Sequence, residues 1–423
     1  MNNHYDLIVI GSGPAGISSA ISAKENGSNC LLIEREASLG GILKQCIHDG
    51  FGLITFNEKL SGPEYIERYI EQFKKLNIDY LTLAFVIDIK KTPDYFILEV
   101  VTRDGIKEFY SDSLILACGC RERTAKGIFI HGTRPYGVLT AGSAQALVNL
   151  NGVVVGKNVC ILGSGDIGLI MARRMVLEGA NVIGVYEIKD TPSGLSRNIH
   201  QCLNDYNIPL HLSTTVKRVF GYERLEAIEI VKVDKNFKPI DGTEEIIKCD
   251  TLLLSVGLIP ENELGEKIGI EIDSRTKGAK CDNNFETVID NVYTCGNSTH
   301  VNDLVDYVSL SGKIAGEMTT RKKDNPRLLK DIIIKGNTMY LVPQMLNINS
   351  DLSNVEMFFR SNYDLKEPIV TISVDGNIIF KKKYMVLRPP EMEKISVDLS
   401  CVKKESNIEF NIEGIKLWRE LYV

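Results

Sequence analysis

The sequence predicts an α/β chain made of two strand–turn–helix–strand units and ending in a small all-β, sandwich-like domain. Three observations lead there. Residues 5–36, "YDLIVIGSGPAGISSAISAKENGSNCLLIERE", run from a buried apolar strand through a glycine-rich turn into a helix and a second strand. Residues 157–187, "KNVCILGSGDIGLIMARRMVLEGANVIGVYE", repeat that order. Beyond about residue 328 the helical periodicity stops, and alternating runs such as "IVTISV" and "NIIFKK" flank an Asp375–Gly376 hairpin signal. That tail reads as roughly seven short strands and as a scaffold or docking module without a catalytic cluster.

In the first unit Gly11, Gly13 and Gly16 form G-x-G-x-x-G directly after "DLIVI", with Pro14 and Ala15 inside the motif. The first glycine permits a tight turn, the second lets backbone approach a pyrophosphate, and the third lets helix pack on strand. The helix N-terminus then offers unpaired N–H groups to phosphate. Glu34 ends the second strand, where an acid accepts from a ribose hydroxyl. The unit is therefore Rossmann-like and dinucleotide-binding.

The second unit carries Gly163, Gly165 and Gly168, with Asp166 and Ile167 between them and Glu187 in the acid position. Ile188 and Lys189 follow, with no arginine immediately after the acid, which favours the 2′-hydroxyl of NAD over the 2′-phosphate of NADP. Two such sites in one chain imply electron transfer between two dinucleotides, with FAD and NAD as the natural pair.

Composition narrows the alternatives. The chain has 423 residues, enough for two or three domains, with 44% hydrophobic and 25% charged residues. The net charge of −6 argues against a nucleic-acid binder. No apolar run approaches the roughly 20 residues of a membrane span, and no secretory signal is evident. Ten cysteines, at positions 30, 46, 118, 120, 160, 202, 249, 281, 295 and 401, are scattered and read as reduced thiols of a cytoplasmic protein. No His/Cys grouping has metal-site spacing.

Four motifs in order, "GSGPAG", "LILACG", "GSGDIG" and "VYTCGN", make residues 6–320 resemble the thioredoxin-reductase-like pyridine nucleotide oxidoreductases, flavoproteins with two dinucleotide-binding domains. The resemblance implies that the first fingerprint and the last motif hold FAD and that an inserted middle unit holds NAD. It implies an FAD domain over 1–121 and 259–322, an NAD domain over 122–258, and the all-β domain over 328–423. It adds Gly40, Gly41, Val86, Ala117, Gly119, Gly296, Asn297 and Val308 to the FAD site, and Gly257, in the exit crossover "GLIP", to the cofactor-binding set. "LGGILKQCIHDGFG" and "ACGCRERTAKGIFIHGTRPYGVLTAGSAQ" are similar, more narrowly, to NAD/FAD oxidoreductase subunits that accompany FAD-dependent glycerol-3-phosphate dehydrogenases, and to α-subunits of amino-acid and opine dehydrogenases. Such a subunit implies a partner dehydrogenase and a small iron–sulfur protein, and leaves the oligomer open.

The sequence departs from that family in two places. The last motif usually ends Gly-Asp, but here it is Gly296–Asn297, which keeps one acceptor oxygen and adds two donors. Asp303 and Asp306 follow closely and read as helix N-terminal charges. The dithiols of the disulfide reductases, C-x-x-C in the NAD domain or C-x-x-x-x-C after Gly40–Gly41, are both missing, so disulfide reductase activity is rejected.

Cys46 and His48 keep two readings: a single redox thiol of an NADH oxidase or peroxidase, or a small residue lining the flavin pocket. A third function, a scaffold that merely holds FAD, also stands. In "LILACGCRER" the alternate residues Cys118 and Cys120 share a strand face about two 3.3 Å rises apart, at the upper edge of disulfide geometry. They read as residues of the crossover between domains, with Arg121 and Arg123 open to phosphate or to pairing with Glu122.

Overall fold

The computed structural model describes residues 3–321 and 325–417. The chain forms two compact units: Met1–Cys120 with Pro260–Val423, and Arg121–Ile259.

In the first unit a seven-stranded sheet runs Asp79–Leu81, Cys30–Ile33, His4–Ile10, Gly105–Leu116, Phe96–Thr102 and Phe85–Lys91, with Val292–Thr294 also on Gly105–Leu116. His4–Ile10 is parallel to Cys30–Ile33 and to Gly105–Leu116, and Leu7, Ile8, Val9 and Ile10 are all buried, on both faces of the sheet. That two-sided burial is why "LIVI" is continuous rather than alternating. The Pro14–Glu25 helix starts with proline at its first position, where the missing N–H has no intrahelical acceptor to lose. The Gly62–Lys75 helix opens on a capping box between Ser61 and Glu64.

The chain returns through Val292–Thr294 into the Val305–Thr320 helix, which packs on Pro14–Glu25 with backbone nearly touching backbone. A Cβ on Gly312 would lie 2.1 Å from the Ala15 carbonyl oxygen, and one on Gly316 would lie 2.1 Å from that of Ser19. Ser18 Oγ donates to Ser309 O at 2.8 Å across the same crossing.

The C-terminal strands belong to the same compact unit as these helices. The described residues form ten strands there rather than about seven, because several are only two to four residues long. A five-stranded and a three-stranded sheet enclose a common core that includes Phe359, Val370, Ile372, Ile395, Phe410 and Ile412, giving the expected sandwich. Asp375 (φ 52°) and Gly376 (φ 81°) form the hairpin turn with both residues left-handed. Tyr340, Val342, Phe358 and Met392 leave the sandwich core and join the core of the first unit with Ala15 and Val305. Arg327 adds a polar tie. Its side chain is buried and lies 3.5 Å from Asp282, 3.6 Å from Glu286 and 2.7 Å from Asp290.

The second unit has a five-stranded parallel sheet, ordered Val138–Thr140, Thr251–Leu254, Asn158–Leu162, Asn181–Tyr186, Leu210–His211, and a separate four-stranded sheet. Pairing between Asn158–Leu162 and Asn181–Tyr186 shifts by one residue between Val159 and Cys160.

Two outcomes follow. Gly312→Ala gains up to about 1 kcal/mol of helix propensity, but a methyl 2.1 Å from a carbonyl oxygen forces the helices apart, so urea unfolding should show a net loss of about 1–3 kcal/mol. Burial, with Glu286 beside it, pushes the Asp282 carboxyl up to about 7. An acid bound more tightly by its proton in the folded state stabilises most at low pH, and that contribution is lost as pH rises from about 4 towards 7. Asp282→Asn should therefore be more stable relative to wild type at pH 7 than at pH 5, measured by denaturant unfolding at both.

Candidate functional site

The two glycine turns have the same internal construction. In the first, the Ser12 N–H and hydroxyl donate to Glu34 Oε2 at 2.9 and 2.5 Å, and the Glu36 N–H donates to Oε1 at 2.8 Å. In the second, the Ser164 N–H and hydroxyl donate to Glu187 Oε2 at 3.0 and 2.6 Å, and the Lys189 N–H donates to Oε1 at 3.1 Å. A backbone N–H closes each network on the serine, Gly40 on Ser12 Oγ at 3.2 Å and Ser193 on Ser164 Oγ at 2.9 Å. Both carboxylates are buried, and these bonds offset the desolvation that burial would otherwise impose. Neither serine stands out in the sequence. The signal was the shared "GSG" of the two fingerprints, which reads as filler between glycines.

The structure brings most of the expected first-site residues together. A Cβ on Gly11 would lie 2.4 Å from Ala117 O, and one on Gly16 would lie 1.9 Å from Gly11 O. Gly41 backs onto Gly13, and Gly296 onto Ala15 and Val308, each within 3.1 Å of a would-be Cβ. Gly40 precedes the Gly41–Gln45 turn, and Pro14 begins the helix. Gly13 and Gly119 have no atom within 4 Å of an added Cβ, so backbone there is open to a close-lying ligand. A cradle of this shape, at a helix N-terminus with a buried acid beside it, fits a dinucleotide pyrophosphate and ribose. Val86 differs: its side chain is in the apolar core with Ile8, Leu31 and Leu98, which leaves only its main chain for a ligand.

Asn297 also departs from expectation. Its Oδ1 accepts from the Asn302 N–H at 3.0 Å and from Asn302 Nδ2 at 3.3 Å, while its Nδ2 donates to Cys120 Sγ at 3.5 Å. The oxygen expected to serve a ligand is engaged within the protein. Asp306, read as a dipole-complementing charge, does lie in the first turn of its helix, but its Oδ1 is spent on the Thr55 N–H at 2.8 Å. Asp303 pairs with Arg360 of the β sandwich.

In the second unit a Cβ on Gly163 would meet Ser255 O at 2.0 Å, and one on Gly168 would meet Gly163 O at 2.6 Å. The Gly165 position is nearly open, with Ser255 Oγ at 3.7 Å. Asp166 Oδ1 accepts from the Leu195 N–H and from Asn198 Nδ2, at 2.9 and 2.7 Å, so it ties down the loop after the acid. Ile167 packs on the core of this unit. Gly257 (φ 101°) lies next to Arg123, whose N–H donates to Gly257 O. Glu122 accepts from the Gly142 N–H at 2.8 Å, at the start of the Ala141–Asn151 helix.

All ten cysteines are free thiols. Burial pushes Cys118 up to about 12 and Cys46 up to about 11. The Cys46 thiol donates to Ile42 O at 3.4 Å, whereas His48 Nδ1 lies on Asp49 O at 3.1 Å. Burial and the bond to a carbonyl oxygen both favour the thiol over the thiolate. No group of three or more His, Cys, Asp or Glu among the described residues is placed to hold a metal, and none of their helices is long and apolar enough to cross a membrane. Cys46 should therefore alkylate slowly with iodoacetamide at pH 7 compared with an exposed cysteine, followed by mass spectrometry.

Residues 5–315 match the family model "Pyridine nucleotide-disulphide oxidoreductase". Among curated proteins the chain is 27% identical over 287 residues to "Hydrogen cyanide synthase subunit HcnB" of Pseudomonas protegens, covering 62% of this chain and 59% of that protein. It is 23% identical to an opine oxidase subunit of Agrobacterium tumefaciens (76% and 65%) and 26% identical to "Thioredoxin reductase" of Mycoplasma genitalium (69% and 86%). The chain thus spans about three-fifths of the length of the cyanide synthase protein and just under two-thirds of the opine oxidase one. Among solved structures, thioredoxin reductase of T. acidophilum shares the fold with a TM-score of 0.61 at 19% identity, covering 75% of this chain and 98% of that one. The chain belongs to the pyridine nucleotide-disulphide oxidoreductase family.

Proposed function

We propose that this chain passes electrons between FAD, held in its first unit, and NAD(H), held in its second, on behalf of a partner dehydrogenase acting on glycerol-3-phosphate or a similar substrate. The observation that carries the reading is the pair of matched Ser–Glu brackets, Ser12/Glu34 and Ser164/Glu187, each beside a glycine turn open to backbone approach. When bound, the flavin and the nicotinamide supply hydride chemistry. The protein's own residues bind and orient. Helix N-termini at Pro14 and Asp166 offer first-turn N–H groups to phosphate, and Glu34 and Glu187, with three bonds accepted each, keep one lone pair on Oε1 for a ribose hydroxyl.

The partner is supported by chemistry and by likeness. The chain has neither dithiol arrangement by which disulfide reductases pass electrons on, and burial pushes the Cys46 thiol up to about 11. Two relatives, those of the cyanide synthase and the opine oxidase, are named as subunits, which favours a multi-component assembly. The resemblance of "LGGILKQCIHDGFG" and its neighbours supplies the glycerol-3-phosphate assignment, and a small iron–sulfur protein goes with it.

Anaerobic titration tests the reading. NADH should bleach the visible absorbance of the purified flavoprotein at substantially lower concentration than NADPH. Glu187→Ala should weaken NADH by about 1.5–3 kcal/mol, the value of a hydrogen bond to a charged group. A preference for NADPH, or failure of NADH and NAD to exchange electrons with the flavin even with the co-purified dehydrogenase present, defeats it.

A further inference from the structure

Beyond the Gly296–Asn297 turn, Asn302 reaches back to it: its N–H and side-chain amide both donate to Asn297 Oδ1. Asn302 also donates to His300 O at 3.0 Å. Its two chain neighbours are both held by one side chain from the β sandwich. Arg360 Nη2 donates to Val301 O at 3.3 Å and forms an ion pair with Asp303. The same guanidinium donates to Tyr340 Oη at 2.8 Å, to Pro389 O at 3.1 Å and to Pro390 O. Asp303 Oδ2 accepts from the Met392 N–H at 2.6 Å, a second bond from the sandwich.

Arg360 is 11% exposed, and its planar fork reaches acceptors on several sides at once. His300, packed against Tyr340 and Phe358 with ring centroids 5.7 and 5.5 Å away, closes the other side of the loop. Burial, with Arg360 nearby, pushes it down to about 3, so it adds no competing charge. The loop 297–303 is therefore gripped at 301 and 303 by an arginine far away in sequence, and the residue between those grips fixes Asn297.

We propose that Arg360 is a positioning residue for the flavin: through Val301, Asp303 and Asn302 it sets the Gly296–Asn297 turn, and the β sandwich thereby tunes how the first unit holds FAD. This rests on the reading of the first cradle as the FAD site. A lysine keeps the charge but not the fork, so R360K loses part of the grip and R360M loses all of it. D303N keeps an acceptor oxygen and removes the ion pair.

The test titrates FAD into apoprotein of the full chain and records the flavin midpoint potential and visible spectrum of each holoprotein. R327K serves as the comparison, since Arg327 ties the same sandwich to Asp282, Glu286 and Asp290 instead of the 297–303 loop. The expected result is an FAD Kd raised about tenfold or more in R360M and by less in R360K and D303N, with the potential shifted in the same order. R327K, compared at matched loss of thermal stability, should leave both unchanged. If R360M does not fold, R360K and D303N decide the question. Unchanged affinity and potential in the folded Arg360 and Asp303 variants overturn the proposal, as do equal changes in R327K. A wild-type chain that takes up no FAD overturns the cradle reading itself, a result distinct from an FAD-loaded wild type whose Arg360 variants are silent.

Discussion

The first unit depends on a close helix crossing. Gly312 and Gly316 let the Val305–Thr320 helix press directly on the carbonyls of Ala15 and Ser19, joining two chain segments that are separated in sequence by the whole second unit. Tyr65 adds to the join through a 2.8 Å hydrogen bond to Ser309. Because the approach is backbone to backbone, it also sets the distance between the Pro14 end of one helix and the Gly296 turn that precedes the other. A Cβ on Gly296 would lie 2.8 Å from Ala15 Cβ and 3.1 Å from Val308, so the same packing that closes the unit shapes one wall of its cradle. Side chains larger than glycine at this crossing would move both together.

Much of this was legible in the sequence because it is local. A strand, a glycine turn, a helix and an acid occupy one short stretch, and their spacing states the geometry. The Asp375–Gly376 hairpin was legible for the same reason: two residues that tolerate positive φ sit between alternating runs. The less legible features are long-range. Arg360 reads as a lone charge inside "FFRS", and only the folded chain puts it on Asp303. Asp306 reads as a helix-dipole charge until the Thr55 N–H arrives from another loop. Asn297 was expected to face a ligand, yet Asn302, five residues on, takes its oxygen. The number of strands in the sandwich was underestimated because two- to four-residue strands carry too little alternation to register.

The thiols separate chemistry from architecture. The fold is shared with thioredoxin reductases, while the cysteines of this chain are dispersed and mostly buried, and burial pushes the Cys46 and Cys118 thiols up. A common fold of this kind accommodates different electron outlets, since the outlet is a matter of a few residues placed on it. The matched brackets belong to the architecture, and the missing dithiols belong to the chemistry.

The one-residue shift between Val159 and Cys160 has a bearing on how such chains change over time. Ser12 and Glu34 are 22 residues apart, whereas Ser164 and Glu187 are 23 apart. The extra residue is absorbed inside the strand pair, after Val159–Val182, so that Leu162 and Tyr186 again stand opposite each other as Ile10 and Ile33 do. Without that slip every later side chain would turn to the wrong face and the acid would leave its serine. The bracket behaves as a cassette closed on itself, whose polar ends are satisfied internally and whose interior length can drift.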